Sequence, residues 1–186
     1  MKLRVLIAGV LGGLAMFAWN SIAHTVLPIG HVGLSQIPNE AAARSALQSA
    51  MGTEPKAGLY VFPWMEHGGS APAPAPGPSG MIVYHPDRPL EMAPSMLVSE
   101  ALSEIVQAVI AAFLLSLTAL VGLLHRALFV TAIGVAVAIC THLSNWIWWG
   151  FPADYTLAAI VTIIVGYLVA GVVIALVMKK RDAAPA

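Results

Sequence analysis

Glu100 and Glu104 are two carboxylates four residues apart, a spacing that puts them on one face of a helix with Gln107 beside them. Asn20 and His24 repeat that spacing in an earlier apolar run. Thr141 and Asn145 repeat it in a later one, with His142 between them, and Asp154 opens the last apolar run. Histidine nitrogen and carboxylate oxygen suit zinc, iron or manganese, so His24, Glu100, Glu104 and His142 are candidate ligands of a bound transition metal. The two imidazoles alone are a candidate pair for haem. By residue count His142 lies about 10 Å inside the Trp149 end of its run, whereas His24 lies nearer the end of its own, which sets the two at different depths. The same groups can also share protons, or hydrogen-bond one helix to another with no further role.

A second constellation is soft. Met51, Met65, Met81, Met92 and Met96 are accompanied by His31, His67 and His85, and thioethers select Cu(I). Met65, His67, Met92 and Met96 are the closest-spaced candidates in this set. The plainer role of these methionines is to fill gaps in a small fold. Trp146, Trp148 and Trp149 form a third cluster, explained by anchoring at a membrane–water interface. The rows Gly9, Gly12, Gly13 and Gly166, Gly171 permit close helix approach, within the chain or against a second copy.

Apolar helices must position these residues. The chain has 186 residues, 59% hydrophobic and 10% charged, with a mean hydropathy of +0.83. A soluble domain carries about 25% charged residues, so the lipid bilayer is the solvent this composition fits. A hydrocarbon layer of about 30 Å needs roughly 20 apolar residues in a helix. Four runs qualify, at residues 5–27, 96–124, 128–149 and 155–178. The connection around His125 and Arg126 makes the second and third spans antiparallel neighbours, and Pro152 stops the third from continuing. Lys2, Arg4 and the small residues Ser21-Ile22-Ala23 also fit a cleavable secretory signal, but the apolar run is long for one.

Lys2, Arg4, Arg126, Lys179, Lys180 and Arg181 fall on one side of the four spans, while Arg44, Lys56 and Arg88 are scattered over the other. Basic residues mark the cytoplasmic side, which gives N-in and C-in with residues 28–95 outside. The net formal charge is zero; no polybasic footprint exists and no nucleic-acid partner is expected. Cys140 is the one cysteine, so an intrachain disulfide and a CxxC centre are excluded.

Within residues 28–95, Asn39 is placed to cap a helix running from Glu40 to about Met51, which Gly52 ends. Gly58 to Phe62 and Met81 to Tyr84 read as paired strands. Residues 68–80, rich in Pro and Ala, read as an exposed, mobile arm between them. The expected fold is therefore an all-α membrane protein: helix 1 in residues 1–27, a small α+β extracytoplasmic cap in 28–95, and helices 2–4 with a tail in 96–186, the whole a four-transmembrane-helix bundle. The cap holds too few apolar residues for a core of its own and should pack on helix ends.

The run from Phe17 to His24, the strand leading to Trp64 and the segment from Gly150 to Thr156 resemble parts of uncharacterised bacterial four-helix inner-membrane proteins. The resemblance implies a bacterial inner membrane, with residues 28–95 periplasmic, and no activity. The chain lacks GxSxG, HExxH, Walker and dinucleotide-turn motifs, so an enzyme is not expected. The leading reading is a non-catalytic accessory or scaffold protein that presents its periplasmic cap to a membrane-complex partner or to further copies of itself, with no cofactor. The alternatives are a metal- or haem-handling redox protein and, as an oligomer, a proton-coupled channel or carrier.

Overall fold

The computed structural model describes residues 2–64, 75–87 and 92–178. Met65, His67 and most of the Pro/Ala arm lie outside the described residues, as does the tail from Lys179. The chain divides into two units, residues 1–34 with 92–186, and residues 35–91.

Among its described residues the first unit contains four helical stretches long and apolar enough to cross a membrane. They are α1 (Leu3–Thr25), α3 (Pro94–Ser116), the continuous stretch Leu123–Trp149, and α6 (Ala153–Met178). The third stretch is α4 (Leu123–Ala138), a single π turn (Ile139–Leu143) and the short α5 (Ser144–Trp149). A short 3₁₀ turn, Pro28–His31, follows α1. Leu6, Leu14, Leu102, Val106, Leu157 and Leu176 leave apolar side chains exposed along these helices, as expected where the neighbour is lipid. The protein is a multi-pass membrane protein by this measure.

The second span ends earlier than its hydropathy suggests. α3 stops at Ser116, and the connection runs through residues 117–122 before α4 starts at Leu123. Leu117, Ala119, Leu120 and Val121 are apolar, so the run looks unbroken. Gly122 takes φ +81, a conformation that suits glycine, and Thr118 Oγ1 donates to the Leu115 carbonyl, 2.8 Å. His125 and Arg126 thus sit in the first turn of α4.

The short connection does not make α3 and α4 close partners. α3 packs along α1, α1 along α6, and α6 along α4, while α3 and α4 meet only sparsely. Glycines determine this order. A side chain at Gly9 would meet Val109 of α3, and one at Gly13 would overlap the backbone of Glu104 and Ile105. Gly12 faces Ile174 of α6, and Gly166 of α6 faces Met16, Trp19 and Asn20 of α1. Gly171 and Gly134 bring α6 against α4. The small-residue rows are therefore used within the chain, each where two backbones approach closely. The core they enclose contains Ala8, Ala108, Ala111, Val130, Ala170 and Ile174.

The second unit contains α2 (Glu40–Met51) and a two-stranded antiparallel sheet. Asn39 Oδ1 accepts from the Ala42 amide, 3.1 Å, and Gly52 ends the helix at φ +79. β1 (Gly58–Phe62) pairs with β2 (Gly80–Tyr84) so that Tyr60 stands opposite Ile82. Tyr60 and Tyr84 rings meet edge to face, 6.2 Å between centroids. None of the described residues of this unit is fully buried, in keeping with a segment that lacks a core of its own.

Candidate functional site

The close contact at Gly13 draws Glu104 of α3 against α1, and Glu104 is 2% exposed. Asn20, two turns further along α1, donates from Nδ2 to Glu104 Oε1. The remaining oxygens of the pair, Asn20 Oδ1 and Glu104 Oε2, are buried with no hydrogen-bond partner among the described residues. A buried polar atom left unpaired costs about 1–3 kcal/mol, so few are retained without a reason.

One turn along α3 a second polar pair follows. Tyr167, almost fully buried on α6, donates its hydroxyl to Gln107 Oε1, 3.0 Å. Gln107 Nε2 donates in turn to Ser103 Oγ, 3.2 Å. Beyond this pair the core is aliphatic, made by Ala108, Ala111, Leu115 and Ile174.

In the other direction the polar groups open into a cleft of about 450 Å³ between α1, the 3₁₀ turn, the start of α3, the π turn and α6. Asn20, His24, Glu100 and His142 line it, with Phe17, Ile29, Leu97 and Ile163 among its apolar walls. His24 Nδ1 lies 2.9 Å from the Asn20 carbonyl. The His142 ring stands 6.5 Å from that of Tyr155, centroid to centroid. Gly30 packs against the His24 ring and Gly33 against Tyr155, so the backbone after α1 helps to wall the cleft. Thr162, also on the wall, gives its carbonyl to Trp19 Nε1, 3.0 Å.

The expected cluster is thus brought together in part. His24, Glu100 and His142 share one cleft, which replaces the depth difference counted along the sequence. Glu104 lies behind Asn20, outside the lining. Asn145 is half-buried in α5 and does not line the cleft; its carbonyl ends that helix by accepting from the Gly150 amide. Asp154 is exposed at the start of α6, where Oδ1 accepts from the Tyr155 amide, 2.8 Å. Among the described residues no three His, Cys, Asp or Glu side chains gather closely enough to hold one metal ion. Of the soft candidates, Met92 and Met96 lie within the described residues; both are exposed, and Met92 lines the cleft. Trp146, Trp148 and Trp149 are all exposed at the end of the third stretch.

Tyr155, Thr162, Trp19 and Tyr167 were not singled out by sequence. Tyr167 carried the clearest signal: a phenol in the middle of an apolar helix needs a hydrogen-bond partner. Comparison of the chain with protein-family models, curated proteins and solved structures finds no match. Function is therefore to be read from the side chains of the site itself.

Proposed function

We propose that this protein is a non-catalytic accessory protein of a bacterial inner membrane that takes a small amphiphilic ligand into the cleft between α1, α3 and α6, with Glu104 as a proton-exchanging group behind it. The observation that carries this reading is the Asn20–Glu104 pair: a cleft-wall amide holds a buried carboxylate, one oxygen of which has no partner among the described residues. Ionisable groups at such a depth are costly and mark functional positions. A mostly apolar cleft with a few convergent polar groups is the ordinary form of a small-molecule site.

The side carrying Lys2, Arg4 and Arg126 is assigned to the cytoplasm by its basic charge, which makes residues 28–95 periplasmic and opens the cleft toward the outer leaflet. A scaffold role through small-residue faces loses support, because those glycines are occupied by helix contacts inside the chain. A partner for the periplasmic segment remains part of the proposal. A proton path through one copy is disfavoured by the aliphatic core beyond Tyr167.

The test is mass-spectrometric identification of small molecules extracted from the full chain purified in mild detergent. A cleft-filling variant, Ala159→Trp, is compared with the unaltered protein. An amphiphile enriched in the unaltered protein and depleted in the variant is expected; identical extracts would sink the ligand reading. Near-stoichiometric transition metal, lost on His142→Ala, would replace it with the metal-handling one.

A further inference from the structure

Several polar groups lining the cleft between α1, the 3₁₀ turn, α3 and α6 have committed their hydrogens inside the protein. Thr25 Oγ1 donates to the Ser21 carbonyl, 2.6 Å, and Thr162 Oγ1 donates to the Ala158 carbonyl, 2.8 Å. A hydroxyl whose hydrogen goes to the backbone one turn earlier offers a ligand only its lone pairs.

His24 is fixed in the same sense. Its Nδ1 lies 2.9 Å from the Asn20 carbonyl. A carbonyl can only accept, so Nδ1 carries the proton and the neutral ring keeps a lone pair on Nε2. Gly30 packs its backbone against the Cδ2 edge of the ring, where a side chain would overlap it, and this contact holds that orientation. Asn20 gives its amide to Glu104 and keeps Oδ1, a further acceptor, buried and with no partner among the described residues. The hydrogens of Thr25, His24 and Thr162 stay within α1 or α6, so this polarity does not depend on the charge around the cleft. Ser21 and Tyr155 also line it, and their hydroxyls rotate to suit either role. Lone pairs are thus the fixed feature of these walls.

We infer, on the ligand reading of this same cleft, that its occupant is an amphiphile whose head donates hydrogen bonds, a hydroxyl or amine on an apolar chain, with His24 Nε2 as the acceptor that selects it. Phe17, Ile29, Leu97 and Ile163 receive the chain. A head that only accepts would leave the lone pairs of His24 and the threonines without a partner once water is displaced, and a site built to hydrogen-bond a donor rejects the analogue that lacks it.

The test compares radiolabelled hexadecanol with its methyl ether, two uncharged probes of the same chain that differ in one donor. Co-elution with the full chain on size exclusion in mild detergent is measured at about pH 8.5, where an imidazole is ordinarily neutral, and empty micelles give the baseline. The alcohol should be retained about fivefold over the ether. That ratio should fall toward one in His24→Leu and return in part in His24→Gln, which restores a side-chain acceptor. His24 is exposed and its hydrogen bond lies within α1, so both variants keep the fold. Equal retention of alcohol and ether by the unaltered protein would overturn the inference and leave a ligand cleft of other selectivity. A preference unchanged in His24→Leu would overturn the part given to His24. Retention of neither probe above empty micelles would count against the ligand reading itself and take this inference with it.

Discussion

The two ends of the helical unit hold clefts of nearly equal size, about 450 and 430 Å³, with opposite chemistry. One is lined by two imidazoles and the Glu100 carboxylate and leads inward to buried Glu104. The other is lined by Lys2, Arg4 and Arg126 and stops at the surface. The contrast follows from what a helix end offers each charge. Arg4 and Arg126 have long stems and reach the carbonyls of α6 while their heads stay near water. Glu104 has a short side chain and sits three turns into α3, so Asn20 must supply its donor. The cationic end is held to the backbone of α6; the acidic end keeps two buried oxygens with no partner among the described residues.

The largest effect is expected where the acidic end is positioned. Gly13→Leu would drive a side chain into the backbone of Glu104 and Ile105. The cost should lie at or above the roughly 1–3 kcal/mol range of overpacked cores. Size-exclusion chromatography in mild detergent should show little monodisperse protein. A normal yield would mean that the α1–α3 contact does not position Glu104.

Arg126→Ala tests the other end. It frees the Leu120 and Met178 carbonyls from a charged donor, and hydrogen bonds to charged groups are worth about 1.5–3 kcal/mol. The thermal midpoint in detergent should fall accordingly, and Arg126→Lys should recover only part of the loss, because an ammonium cannot reproduce the fork. If the two variants match the unaltered protein, the guanidinium is not a structural member of that end.

The unlike depths of these two ends were legible in sequence only in part. Hydropathy and the basic residues located four spans and sorted their ends, because lipid burial and charge are properties of composition. Asn39, Gly52 and the two strands were legible for the same local reason, each being a capping, breaking or β-forming residue in place. The connection at 117–122 was hidden because its residues are as apolar as the helix before it. The π turn at Ile139–Leu143 contains neither Gly nor Pro to announce it. The order α3–α1–α6–α4 depends on which glycine faces which helix, and a sequence states only that the glycines are present. Hence Glu104 could be named as a candidate, but its separation from the cleft by Asn20 could not.

The Asn20–Glu104 pair should show strong coupling. Asn20→Leu removes the donor from a buried carboxylate and should cost about 1–3 kcal/mol. Glu104→Leu strands the Asn20 amide at a similar cost. The double variant should cost less than the sum, because replacing both partners by apolar groups leaves nothing unpaired. Reversible unfolding of the four proteins in mixed micelles measures this directly, and strict additivity would separate the two residues.

The smallest effect should come from Glu100→Gln, and it is the sharpest control. Glu100 is one helical turn from Glu104 on the same face of α3, yet it is exposed at the cleft while its neighbour is buried. Surface substitutions of this kind change stability by less than about 0.5 kcal/mol. Glu104→Gln, by contrast, keeps the acceptor for Asn20 but abolishes proton exchange, so it should alter any pH-dependent ligand retention far more than it alters folding. The comparison separates what a carboxylate does by being charged near a cleft from what it does by being buried behind one. If Glu100→Gln changes pH-dependent retention as much as Glu104→Gln does, the cleft mouth, and not the buried pair, is where protons meet the ligand.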